Sequence, residues 1–124
     1  MIKTKSIYKP KEDSDGTRVL ITRFYPRGVR KDHFDEWVRA LAPSVELLKG
    51  YKEGKVDQEQ FKIQFYSQIY SNTDSLEAIQ TISEIARHSN VTLLCYEKDG
   101  DFCHRYLVNS LIMNEIKDSP MMLS

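Results

Sequence analysis

The sequence predicts a small α/β domain, with a mostly parallel sheet flanked by four or five helices in three layers. Three observations lead there. Two short runs, Arg18–Tyr25 and Val91–Tyr96, are rich in β-branched, aromatic and aliphatic residues and are bounded by turn formers. The segment between them, about 65 residues long, repeats its apolar positions at helical spacing. A crossover of that length joins parallel strands, not the two arms of a hairpin. At 124 residues the chain is one domain's worth. The domain is expected to span 1–118, with a frayed tail over 119–124, where Ser119-Pro120-Met121 carries no pattern.

Taken in order, Ile2–Tyr8 alternates polar and apolar residues as a short exposed strand does. Asp13-Ser14-Asp15-Gly16 has turn chemistry, and Gly16 can take a positive φ. Arg18–Tyr25 is apolar on both faces, the mark of a covered strand, and Pro26-Arg27-Gly28 ends it. From Asp32 the period becomes helical, with Phe34, Trp37, Val38 and Leu41 as the stripe and Pro43 as the break. Ser44 caps a short helix expected to stop at Gly50. Asp57 with Gln60 forms a capping box for a helix carrying Phe61, Phe65 and Ile69 together with Ile63, Tyr66 and Tyr70. Asp74 with Glu77 repeats that device before Leu76, Ile79, Ile82, Ile85 and Ala86, and Asn90 is the stop. Val91–Tyr96 reads as the central strand, Glu97–Asp101 as its exit loop and Phe102–Met113 as the last helix.

Composition narrows the function classes. With 40% apolar and 29% charged residues the chain can build a core, which excludes disorder. No apolar run approaches the roughly 18–20 residues of a membrane-spanning helix, so no membrane partner is expected. The start, Met1-Ile2-Lys3-Thr4-Lys5, lacks the apolar core of a secretory leader, and the expected compartment is cytoplasmic. The zero net charge hides a segregation. Residues 1–31 hold nine bases against three acids, and residues 32–124 hold nine against fifteen. The Thr17–Lys31 stretch has five bases and no acid, which suggests an anionic ligand there, unless the two halves neutralise each other on folding. A pI of 6.8 argues against a general nucleic-acid coat protein.

The chemistry is expected where the parallel strands end, since ligands bind at the carboxyl edge of open α/β sheets. That edge gathers Arg23, Tyr25 and Arg27 from one strand exit and Glu97, Asp99, Cys103, His104 and Arg105 from the other. Arg23, Arg27 and Arg105, with Tyr25, would bind a phosphate or carboxylate through paired hydrogen bonds. Cys103 and His104 lie in a helix's first turn, where free amides and the dipole favour anions and thiolates, and Glu97 is the candidate base or orienting acceptor. Each also has a structural reading: Cys103 packs, His104 bonds backbone, and Arg23 pairs with an acid such as Glu97. Asp101 as a helix cap would raise the Cys103 thiol. Cys95 reads as a small apolar core residue, and a disulfide to Cys103 is not expected in a reducing compartment. Two cysteines with scattered His33, His88 and His104 do not make a metal-ligand spacing, and no cofactor motif is present, neither phosphate loop nor dinucleotide fingerprint nor nucleophile elbow. The Cys-x5-Arg phosphatase loop is missing too, because Arg105 follows Cys103 by two positions.

In order along the chain stand Asp15-Gly16-Thr17-Arg18-Val19-Leu20, Arg23-Phe24-Tyr25-Pro26-Arg27-Gly28, Trp37, Leu41-Ala42-Pro43-Ser44, the Phe61–Tyr66 helix, Thr92-Leu93-Leu94-Cys95 and Cys103-His104-Arg105. On these the sequence resembles the YeaO-like family, the domain of unknown function DUF488, from Ile2 to about Leu111. The family pattern commonly carries an acid just before the arginine of Arg23-Phe24-Tyr25-Pro26-Arg27-Gly28, where this chain has Thr22. The resemblance implies no particular activity. Three functions therefore compete: an enzyme or binder of a small anionic, phosphate-bearing ligand; a non-catalytic module binding nucleic acid or protein through Thr17–Lys31; and a scaffold whose motif residues only knit the fold. Substrate, reaction and oligomeric state are not legible.

Overall fold

The computed structural model describes residues 1–98 and 100–118; Asp99 and the expected tail 119–124 lie outside the described residues. The strands are β1 (Ile2–Ser6), β2 (Thr17–Leu20), β3 (Glu36–Trp37) and β4 (Val91–Cys95). The helices are α1 (Val45–Lys52), α2 (Gln58–Tyr70), α3 (Thr73–His88) and α4 (His104–Asp118). Single 3-10 turns occupy Asp13–Asp15, Lys31–His33 and Arg39–Leu41. The sheet order is β1-β4-β2-β3 and every neighbouring pair is parallel, so all four strands end at one edge. Residues 17–20 of β2 pair with 91–94 of β4 in direct register, as a long crossover requires.

β4 is buried along its whole length because both its faces are covered. Val91, Leu93 and Cys95 face the helices and share one core with Phe65 and Ile69 of α2, Ile79 and Ile82 of α3, and Val108 and Ile112 of α4. The opposite face carries Leu94, packed with Ile7 and Leu20 under Val29, Phe34 and Trp37. The third layer is therefore made of loops and 3-10 turns, not helices.

That layer is pinned by a buried ionic cluster. Arg18 and Asp15 are fully buried and form a tight ion pair, and Lys5 reaches Asp15 at 3.0 Å and Glu12 at 2.7 Å. Burial pushes the Asp15 carboxyl up, but the Glu12 amide and the Lys3, Lys5 and Arg18 side chains outweigh it and hold Asp15 well below the usual carboxylate range. Three of the nine bases of residues 1–31, Lys3, Lys5 and Arg18, are thus paired with acids of the same segment. Gly16 turns the chain from this cluster into β2 at φ 63°, and a Cβ there would stand 2.0 Å from the Asn90 carbonyl oxygen.

Several local expectations are corrected. Residues 32–41 form no α-helix: β3 lies alongside β2, with the Asp35 amide bonded to the Arg18 carbonyl at 2.8 Å and Val38 to Leu20 at 2.8 Å. The exposed edge of β2 offers backbone partners that a four-residue apolar stripe in a segment of mixed polarity does not outweigh. Gly50 sits inside α1 and not after it, because the turn is closed by Gly54 at φ 76°. Asn72, not Asp74, caps α3. On α2 Ile63 and Tyr70 are exposed, leaving Phe61, Phe65 and Ile69 as the buried stripe.

Candidate functional site

The carboxyl edge of the sheet opens into a cavity of about 400 Å³. Its walls are Thr22, Arg23 and Phe24 after β2, Tyr96 and Glu97 after β4, His104 at the start of α4, and one side of α1 with Lys49, Lys52 and Glu53. Parallel pairing explains this convergence: β2 and β4 end side by side, so their exit loops share a wall. A larger cavity, about 710 Å³, lies between β2–β3 and α3, but its polar rim is acidic, with Asp35, Glu36, Asp74 and Glu77, and it has no thiol, imidazole or cation.

Arg23 lines the cavity while its Nε donates to the Pro43 carbonyl and one Nη2 hydrogen to the Ala42 carbonyl, each at 3.0 Å. These carbonyls, and not Glu97, answer the burial cost of the guanidinium, which corrects the expected acid partner. Nη1 donates to no protein group among the described residues. Lys49 and Lys52 stand one turn apart on α1, whose start is fixed by Ser44 accepting from the Leu47 amide at 3.1 Å. The cavity thus faces three cations and two carboxylates, of which Glu53 is paired with Lys55 at 3.1 Å. The other, Glu97, has a buried Oε1 that accepts no hydrogen bond, and burial followed by the nearby Cys103 charge pushes its carboxyl up to about 7.

Behind His104 lies a cluster of Cys95, Cys103 and His104, all buried, with their ligand atoms within 4.8 Å of one another. His104 Nε2 meets the Ile21 carbonyl at 2.5 Å, and since a carbonyl only accepts, Nε2 carries the hydrogen. Nδ1 lies 3.8 Å from Cys103 Sγ and 3.9 Å from Cys95 Sγ, and Cys95 is closer still to Nε2 at 3.5 Å, beside the ring. The Arg105 amide donates to Cys103 Sγ at 3.5 Å. Burial raises the Cys103 thiol, but the Cys95 and His104 side chains and that amide outweigh it and bring Cys103 well below the ordinary thiol range. Burial, then the Cys103 hydrogen bond, pushes Cys95 well above it. Asp101, the acid expected to cap this helix and raise Cys103, does not cap it, because α4 begins three residues later at His104.

Of the residues expected at this edge, the structure brings Arg23, Glu97 and His104 to the cavity and Cys103 directly behind it. Tyr25 and Arg27 do not line it. Tyr25 packs edge-on against Phe34 and Trp37, with its hydroxyl donating to the Val29 carbonyl at 2.7 Å, and Arg27 is exposed. The Arg105 guanidinium is fully buried and donates to the Glu97 and Lys98 carbonyls at 2.9 and 2.8 Å, shaping the loop that carries Glu97. The basic Thr17–Lys31 stretch presents no continuous face, because Arg18 is buried, Arg23 turns to the cavity, and Arg30 lies 3.4 Å from Asp32. Sequence reading missed Lys49, Lys52 and the part of Cys95. The lysines' spacing of three was visible, but nothing local said which way α1 faces.

A family model described as "Active DUF488-N3 subclade" matches residues 2–116. The chain is 33% identical over 100 residues to "Uncharacterized protein YeaO" of Escherichia coli (strain K12), covering 79% of this chain and 84% of that protein. It is 26% identical over 93 residues to "Uncharacterized protein Rv3073c" of Mycobacterium tuberculosis (strain ATCC 25618 / H37Rv), covering 73% and 75%. No solved structure matches. No described helix is long and apolar enough to cross a membrane.

Proposed function

We propose that this chain, a member of the YeaO-like DUF488 family, binds a small anionic, phosphate-bearing molecule at the carboxyl edge of its sheet, with Cys103, His104 and Glu97 as the reactive wall. The observation that carries this reading is the cavity itself, which is lined by Arg23 from the β2 exit and by Lys49 and Lys52 from α1. Three cations facing one enclosed space, with Glu53 occupied by Lys55, give a field that favours an anion. Arg23 has Nη1 hydrogens to offer, and the lysines add point charges. Among the described residues the cavity is bounded by both the cationic groups and the imidazole, so a bound phosphate and the Cys103–His104 pair would be neighbours. Arg105 is a positioning residue in this scheme, holding the Glu97 carbonyl from below.

Titration with inorganic phosphate, followed by calorimetry and by amide NMR shifts, tests it. Saturable shifts at Arg23, Glu97 and His104 are expected. The Lys49→Ala/Lys52→Ala double substitution should weaken binding roughly tenfold, about the loss of one charge-assisted contact, with unchanged melting temperature. Shifts that never saturate at millimolar phosphate, or binding indifferent to the two lysines, would remove the reading.

A further inference from the structure

We infer that Cys95, Cys103 and His104 form a binding site for a thiophilic divalent metal ion, of which Zn²⁺ is the type. Two sulfurs and one imidazole nitrogen are a donor set that suits such an ion, and all three side chains are buried. With ordinary zinc bonds of about 2.3 Å to sulfur and about 2.0 Å to nitrogen, a tetrahedral angle separates sulfur from nitrogen by about 3.6 Å. The Nδ1 atom of His104 lies 3.8 Å from one sulfur and 3.9 Å from the other. Because Cys95 Sγ lies nearer Nε2, at 3.5 Å, completing the set takes a turn of the imidazole toward Cys95 as well as a contraction of a few tenths of an ångström.

The imidazole is already in the tautomer this task needs. Nε2–H is tied to the Ile21 carbonyl, which leaves Nδ1 as the nitrogen with a free lone pair. Metal-bound histidines are held in this way by a backbone carbonyl on the far nitrogen. The arrangement also answers a question of charge. Beside the buried Arg105 guanidinium, a divalent ion supplies the charge that neutralises two thiolates. Binding breaks any remaining Cys S–H bond, forms a sulfur–metal bond in its place, and releases the proton to solvent with no change of oxidation state.

Three protein donors leave one position of a tetrahedral ion for water or a ligand oxygen. His104 and Glu97 both line the cavity, and Glu97 keeps a buried oxygen with no hydrogen-bond partner. The inference deepens the proposed function, on which it rests for the cavity's role: Cys103 becomes a ligand and the reactive position passes to the ion. The metal site itself stands apart from the anion and is tested without it.

The test is titration of the full chain, reduced with a phosphine, by Co²⁺ alone, followed by absorbance. One equivalent should produce thiolate-to-cobalt charge transfer in the near ultraviolet and the intense visible bands of a tetrahedral ion, and Zn²⁺ should abolish both. Cys103→Ser and His104→Gln should each weaken cobalt binding about tenfold or more, with circular dichroism confirming the fold. A wild-type spectrum no different from hydrated cobalt would overturn the inference without any variant. So would bands that persist unchanged in Cys103→Ser. If cobalt fails while phosphate still saturates the cavity, only the metal falls. If cobalt binds and phosphate does not, only the anion reading falls.

Discussion

Replacing Asp15 by Asn removes the charge at the centre of the cluster under β1 and β2. Asp15 accepts from Arg18, from Lys5 at 3.0 and 3.1 Å and from the Glu12 amide at 3.0 Å, and Lys3 stands 3.0 Å away. Lys5 would keep Glu12 and the Pro10 carbonyl, so its loss is partial. Arg18 would keep only the His33 carbonyl on its Nε and would become a fully buried, uncompensated guanidinium. Breaking one buried pair in this way costs about 3–5 kcal/mol. That is a large share of the roughly 5–15 kcal/mol a domain possesses, and it lowers the melting temperature by about 10–20 °C. Urea unfolding at neutral pH, read by circular dichroism, measures it. Adding Arg18→Met to Asp15→Asn should restore at least about 1.5 kcal/mol, because no buried charge is then orphaned. The sign of the pH dependence follows from Asp15 being held below its unfolded value: its contribution is full above about pH 5 and shrinks as pH falls below about 4. The difference between wild type and variant should close over that range. A loss under 1 kcal/mol (roughly the worth of an exposed pair), or a double variant no better than the sum of its parts, would refute the reasoning.

Two glycines with similar φ should respond differently to alanine. Gly16→Ala forces a Cβ to within 2.0 Å of backbone, so a loss well above 2 kcal/mol is expected, whereas Gly54→Ala, at φ 76° in open space, should cost only about 1 kcal/mol, its left-handed strain. Equal losses in urea would show that close approach to Asn90 is not what Gly16 is for. Leu94→Ala, in the small core beneath the loop layer, should cost about 3 kcal/mol and shift the emission of Trp37, the chain's single tryptophan, to longer wavelength. Unchanged emission would mean that the loop layer does not depend on this contact.

The sheet was legible because its signal is strong and local. Val91–Cys95 is an apolar run that only a doubly covered strand accommodates, and the Asp57–Gln60 capping box begins α2 where the sequence places it. Residues 32–41 were not legible, since their apolar spacing fits a helix and only the open edge of β2 makes extended pairing better. The site was half legible. Parallel strands alone put Arg23, Glu97 and His104 together, yet Arg18 and Arg23 are indistinguishable as members of a basic stretch. One of them is an ion-pair partner in the third layer, and the other lines a cavity.

What the sequence determined by itself is the α/β class, the parallel central pair, the family and the edge at which chemistry would gather, because hydrophobic period and crossover length act over short stretches of chain. Tertiary structure alone decided which cations face the cavity, that Tyr25 and Arg27 stand away from it, and that Cys95 joins Cys103 and His104. Those outcomes depend on the rotation of α1 and α4 against the sheet, and packing sets that rotation through contacts between residues far apart in the chain.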